Sequence, residues 1–242
     1  MRTLYPTLYA MNPRQAPVPS EEASPPGRRG RAPALTHDQI AGAALELVDR
    51  EGLEALSMRR LAAELGVAAM SLYRYFRDKD ELLDAVVEAS SRQAESRVEL
   101  AGPWQQQVRT LMRALHRNLT RHPSLVQIRL ARPMLTPAAL RLTEGAMRVL
   151  TGAGFPSATA ARAYRTLFLY TFACSAFDAG RESGQLVRLA AGALTALPAD
   201  EYTAIAGAVP ELAATMDAEA QFEHGLDVII AGLERQLPEE QR

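Results

Sequence analysis

Apolar residues recur at spacings of three and four over most of the chain from Thr36 onward, the period of an amphipathic helix. Ile40, Ala44, Leu47 and Val48 form the first such stripe. Thr36 and Gln39 stand before it at capping-box spacing, and Gly52 follows it as a stop signal. Ser57 is placed to cap a second helix, Met58–Leu65, whose Met58, Leu61, Ala62 and Leu65 share one face. Gly66 ends that helix, and a third short one is predicted over about Ala68–Tyr75. Asp78, with Glu81 as its box partner, opens a long fourth helix, Asp78–Glu99.

Beyond Pro103 the helical pattern continues. Pro103 and Pro137 suit first helical turns, the latter following Thr136. Gly152, Gly154 and Pro156 mark a junction. A long helix, Ser157–Ser183, is apolar almost all round in its second half, Leu167 to Ala173, and a last helix, Ala218–Arg235, carries Phe222, Leu226, Ile229, Ile230 and Leu233. Between them Leu186–Thr215 is Ala-rich and broken by Pro198 and Pro210, and its helix ends are not set by the pattern. No segment reads as a strand. The fold class is therefore all-α: a small N-terminal helical domain over 35–82 and a larger helical domain over 83–237.

The first 34 residues differ in kind. Seven of the fifteen prolines lie between Pro6 and Pro33, among Ser, Gln, Gly and Glu. Such a segment buries too little apolar surface to offset chain entropy, so a disordered arm is expected. It ends in a basic cluster, Arg28, Arg29 and Arg31, open to two readings: a solvated tail, or an arm that touches DNA phosphates or a minor groove.

Composition narrows the function classes. The 242 residues carry a net charge of −1, so no strong overall field recruits nucleic acid or membrane. Residues 1–79 hold 11 cationic and 9 acidic side chains, net +2, and residues 80–242 hold 16 and 19, net −3. The single cysteine, Cys174, forms no intramolecular disulfide and supplies no Cys₂ or Cys₄ zinc site. Uncharged runs such as Val149–Ala161 fall short of the roughly 18 apolar residues of a membrane span. Met1–Ala10 holds no apolar run long enough for a signal peptide, so none is expected. The expected location is the cytoplasm, with no membrane partner. A nucleophile elbow, a P-loop, an HExxH motif and convincingly spaced paired carboxylates are all missing, so an enzyme is not expected.

Met58–Tyr75 has the layout of a helix-turn-helix, two short helices about a glycine turn at Gly66-Val67. Such a unit projects the outer face of its second helix, which fits a major groove about 12 Å wide. On that face Ala69, Met70, Ser71, Tyr73, Arg74 and Tyr75 offer hydroxyls and a guanidinium, groups that bond to phosphates and base edges. Spacing alone leaves a plain helical hairpin as the alternative.

Two runs then carry a resemblance. Leu56–Val67, followed by Ser71-Leu72-Tyr73-Arg74-Tyr75-Phe76 and Lys79-Asp80-Glu81-Leu82-Leu83, resembles the TetR (tetracycline-repressor) family of bacterial transcription regulators, including its L-Y-x-[YH]-F signature. Trp104, His122-Pro123, Arg132-Pro133 and Phe222–Leu233 are similar to the subgroup whose C-terminal domain is that of the tetracycline repressor. The resemblance implies DNA contacts by Ser57, Arg59, Ala69, Met70, Ser71, Tyr73, Tyr75 and Lys79. In it Arg59 reaches a base edge, Met70 and Ser71 face the groove, and Tyr73, Tyr75 and Lys79 meet phosphates. Phe76 is expected in the core.

The resemblance also implies a homodimer and a small-molecule effector. Helices 157–183 and 218–235 have apolar surface to pair across a two-fold axis. The positions that hold a drug–magnesium complex in the tetracycline repressor look to be filled here by Glu95, Leu111, Leu115, Ile128 and Ala131, which do not serve a hard cation. No metal, no magnesium–tetracycline and no cofactor are expected. A cavity lined by Leu111, Leu115, Ile128 and Phe168 suits an apolar or aromatic effector, with His116, Arg113, Tyr164, Tyr170 and Thr171 as candidate polar contacts. His122 reads as shaping a helix junction, and Cys174 as a buried small side chain. The leading function is a ligand-responsive repressor on a palindromic operator. An activator or a ligand-independent DNA-binding regulator of the same fold is the alternative.

Overall fold

The structure is a computed structural model that describes residues 35–130, 136–178 and 183–237. The expected arm, Ala131 and the Arg132-Pro133 pair lie outside the described residues. Among those described, all regular structure is helical and no strand occurs.

The chain enters through α1, His37–Glu51, closed at its start by the predicted box: Gln39 N–H donates to the Thr36 hydroxyl at 3.1 Å and Thr36 N–H to Gln39 Oε1 at 2.8 Å. Gly52 stops it at φ 87°, in the left-handed region that favours glycine. A 3-10 turn, Leu53–Ala55, leads to α2, Met58–Glu64, and α3, Ala69–Leu72. Then comes α4, Lys79–Glu95. Asp78 caps it as expected, but Glu81 reaches the N–H of Arg77 (2.6 Å) rather than that of Asp78. The helix stops four residues before the predicted Glu99. At Ser96 the side chain turns back onto the Gln93 carbonyl (3.0 Å), a local bond that competes with helix continuation.

The body follows as α5, Trp104–Arg121; α6, Ser124–Leu130; α7, Pro137–Gly152; and α8, Ser157–Asp178. The single helix predicted over 157–183 is not one described element. Residues 179–182 lie outside the described residues, and Ser183 opens α9, Ser183–Thr195. The Ala-rich stretch adds α10, Thr203–Ala206, and α11, Val209–Ala214, with Pro210 in the first turn of α11. The last helix is α12, Ala218–Glu234, capped by Asp217. No helix among the described residues is long and apolar enough to cross a membrane.

Two apolar cores hold this together. One joins Ile40, Leu47, Leu61, Leu72, Phe76, Leu82 and Val86 of the first four helices and their turns to Leu119, Leu125, Ile128 and Phe168 of the body. The other packs Met112, Leu150, Leu167, Phe222, Leu226 and Ile230 from α5, α7, α8 and α12. Apolar packing therefore runs without a break across position 82, and the first half of α4, through Leu82, Leu83, Val86 and Val87, belongs to the first core. Polar ties reinforce the join. Asp49 of α1 bonds His122 Nδ1 (2.7 Å) and the Ser124 hydroxyl, fastening the end of α5 and the start of α6 to α1. His122 shapes that junction, as its place before Pro123 suggests. Ser90 of α4 donates to Asn118 of α5 at 2.8 Å, and Arg92 of α4 pairs with Asp38 of α1 at 2.8 Å.

Candidate functional site

The helix-turn-helix is built from the caps upward. The Ser57 hydroxyl accepts from the Arg60 N–H (3.1 Å) and starts α2. Gly66 turns the chain at φ 66°. Leu61, Ala62 and Leu72 are buried between the two helices and α1. What remains outside is the opposite face. Met70 is 74% exposed and Tyr73 48%. Arg59 is exposed on α2, whereas its neighbour Arg60 is tied to Glu51 (2.6 Å) and Glu64 (2.9 Å). Ala69 and Ser71 are half-buried.

The third helix is shorter than predicted. It ends at Leu72, so Tyr73 is its cap and Tyr75 lies beyond it. The reason is the Tyr75-Phe76 pair. Both rings stand edge-on to His37 of α1 at 5.2 Å, and Phe76 is buried as expected, which draws the chain back to α1. Tyr75 is half-buried, so its ring is a packing group. Lys79 is also half-buried, and its Nζ donates to the Leu53 carbonyl at 3.2 Å.

A cavity of about 220 Å³ lies between α4, α5, α6 and α7. Its apolar wall includes Ala94, Val98, Leu111, Leu115, Ala138 and Leu142. Its polar wall includes Ser91, Asn118, Arg129 and the ion-paired Glu95 and Arg141 (2.8 Å). Among the described residues no group of three His, Cys, Asp or Glu side chains is arranged to hold a metal ion.

Comparison with known proteins decides the family. Residues 40–86 match the family described as bacterial regulatory proteins, tetR family, and residues 99–237 match the tetracyclin repressor-like C-terminal domain. The chain belongs to the TetR family. It is 36% identical over 205 residues to an HTH-type transcriptional regulator of Saccharopolyspora erythraea, covering 83% of this chain and 85% of that one. It is 44% identical over 124 residues to the HTH-type transcriptional repressor DrrR1 of Streptomyces coeruleorubidus, a match spanning 51% of this chain but 45% of that relative. Among solved structures, the TetR family protein ActR of Streptomyces coelicolor in complex with actinorhodin matches at TM-score 0.71 and 33% identity, over 87% of this chain and all of ActR.

Within this TetR-family frame the candidate effector residues separate. Leu111 and Leu115 line the cavity. Ile128 and Phe168 are buried in the first core, with Leu115. The Tyr164 hydroxyl is bonded to Thr143 at 2.9 Å, and burial raises its pKa. Thr171 is buried and donates within its own helix to the Leu167 carbonyl (2.8 Å). His116 is buried and stacked on Phe222, centroids 3.9 Å apart, toward Asp178 and Glu219 rather than in the cavity wall. Burial lowers its pKa. Arg113 is paired with Glu223 of α12 through two bonds of 2.6 and 2.7 Å, and Tyr170 donates to the Gln221 carbonyl at 2.8 Å. Cys174 is half-buried, and burial raises its thiol pKa.

The polar cavity residues that the sequence did not single out are Ser91, Asn118, Arg129 and Arg141. Arg129 left a trace. It occupies the apolar stripe of α6 with Leu125 and Ile128, a place where a charged side chain is seldom buried unless paired.

Proposed function

We propose that the chain is a homodimeric transcriptional repressor, with residues 35–82 binding palindromic operator DNA and residues 83–237 sensing a small apolar or aromatic effector. The observation that carries this reading is the outer face of α2 and α3, where Arg59, Met70 and Tyr73 stand exposed on a unit pinned from behind by Leu61, Leu72 and Phe76. Ser57, Ala69, Ser71, Tyr75 and Lys79 complete the assigned contacts. Since Ser57 already caps α2, Tyr75 packs on His37 and Lys79 holds Leu53, these three would position the unit as well as touch the backbone of DNA.

A dimer is supported by apolar side chains left uncovered on the two helices assigned to it. Phe177 on α8 is 69% exposed and Val228 on α12 57%. Pairing α8 and α12 with those of a second copy buries them in a four-helix arrangement. Release is supported by α4. Ser91, Ala94 and Glu95 of α4, with Val98 just beyond its end, form one wall of the cavity, while Leu82, Leu83 and Val86 share the first core with α1 to α3. An effector that binds one tilt of α4 better than another shifts DNA affinity by that difference. DrrR1 is a transcriptional repressor by name, and ActR holds actinorhodin in its complex.

The test is selection of random duplex DNA on the purified chain. The expected result is an enriched palindrome with two half-sites, bound with a steep salt dependence. Failure to enrich any sequence, with binding equal on all duplexes, would overturn the operator reading.

A further inference from the structure

Arg129 is the anomaly of the cavity wall. It is 9% exposed, and its Nη2 donates to the Ser91 hydroxyl at 3.2 Å. Among the described residues its Nε has no hydrogen-bond partner. No carboxylate among the described residues pairs with it, whereas the neighbouring cation Arg141 is neutralised by Glu88 and Glu95, each at 2.8 Å. Burial pushes its pKa down, yet a guanidinium keeps its proton. A buried charge without a counter-charge detracts from folding. It is accounted for if the counter-charge arrives with the ligand.

A second observation points the same way. An adjoining groove of about 460 Å³ shares Ala94, Ala114 and Asn118 with the cavity, and is lined by the exposed Arg97, Arg117 and Arg121. This row of cations gives the approach a positive potential that concentrates anions.

We propose that the effector carries an acidic group, a carboxylate or an ionised phenol, held by Arg129. Its oxygens accept from the free Nε–H and an adjacent Nη–H, the fork that suits a planar anion. Its ring system lies against Leu111, Leu115 and Leu142. A cavity of about 220 Å³ suits one or two rings, since a cavity of about 150 Å³ holds benzene. The inference rests on reading this cavity as the effector site.

The test is calorimetric titration of the full chain with 2-naphthoate and with 2-naphthamide, a neutral analogue of the same shape. The acid is expected to bind about tenfold tighter or more, the usual margin of a charge-assisted bond. Arg129→Met keeps the aliphatic stem and removes the charge. It should abolish the preference and raise the Tm of the ligand-free chain. An amide that binds as tightly as the acid overturns the acidic-effector inference and leaves the cavity reading standing. A preference that survives in Arg129→Met overturns the role of Arg129. No binding of either probe at millimolar concentration overturns the cavity reading and this inference together. Should Arg129→Met fail to fold, Arg129→Lys keeps the charge without the fork, and a partial loss of preference is then the supporting result and an unchanged preference the opposing one.

Discussion

Arg59 and Arg60 are neighbours on α2 with opposite circumstances. Arg60 bridges Glu51 and Glu64, and its guanidinium lowers the pKa of both carboxyls by direct hydrogen bonds. Arg59 stands exposed on α2. Replacing Arg59 by Ala should therefore relax preference at one base pair, by about 1–3 kcal/mol. Tyr73→Phe should weaken binding to specific and random duplexes alike, by about two- to tenfold. Competition binding on both duplex types separates the two, and identical behaviour would overturn the assignment of roles. His116 supports a different prediction. Its folded pKa is depressed by burial, against the opposing pull of Glu219, Asp178 and Glu223. The unfolded chain thus binds the proton more tightly, and stability should fall as pH drops below about 6.5, the ordinary imidazole value. Thermal melts from pH 7.5 to 5.5 should show a shallower decline in His116→Gln. At this scale the sequence made types legible but not surroundings. Two adjacent arginines look alike until the fold brings Glu51 to one of them, and Arg129, though in step with Leu125 and Ile128, shows what it faces only once α6 is packed.

Helix ends were the most legible elements. Thr36, Ser57, Asp78, Thr136 and glycines 52 and 66 act through bonds within four residues, so no distant contact is needed to read them. The short α3 was not legible, because His37, some 38 positions away, holds Tyr75 and Phe76 and ends the helix early. The segment from α9 to α11 resisted for another reason: alanine serves both faces of a helix equally, and α9 buries none of its described side chains. One contact between elements is sharp enough to predict from. A Cβ added at Gly225 of α12 would collide with the hydroxyl and ring of Tyr170 on α8. Glycine to alanine inside a helix ordinarily stabilises by about 1 kcal/mol. Gly225→Ala should instead destabilise by about 1–3 kcal/mol, the usual effect of overpacking. Denaturant melts give the sign directly, and a gain in stability would mean that α8 and α12 do not approach this closely.

The whole molecule is organised around α4. Its first half is packed in the core of the helix-turn-helix end and its second half walls the cavity, so anything that moves one is felt by the other. The Asp49 ties to His122 and Ser124 make α6, which carries Arg129, a second connection to α1. Such continuity could not be read from the chain, where position 82 looks like a boundary between a motif and a body. The family was legible from the Leu72–Phe76 signature, and matches over residues 40–86 and 99–237 agree with it. Symmetry is the central claim at this scale, since two recognition units fixed in one dimer can engage only half-sites of matching separation. The most direct test is affinity for a selected palindrome compared with the same duplex carrying about five extra base pairs, half a helical turn, between its half-sites. The account predicts that the insertion reduces affinity to that for random DNA while each half-site remains intact. Undiminished binding to the lengthened duplex would show that single chains bind single half-sites, and would contradict it.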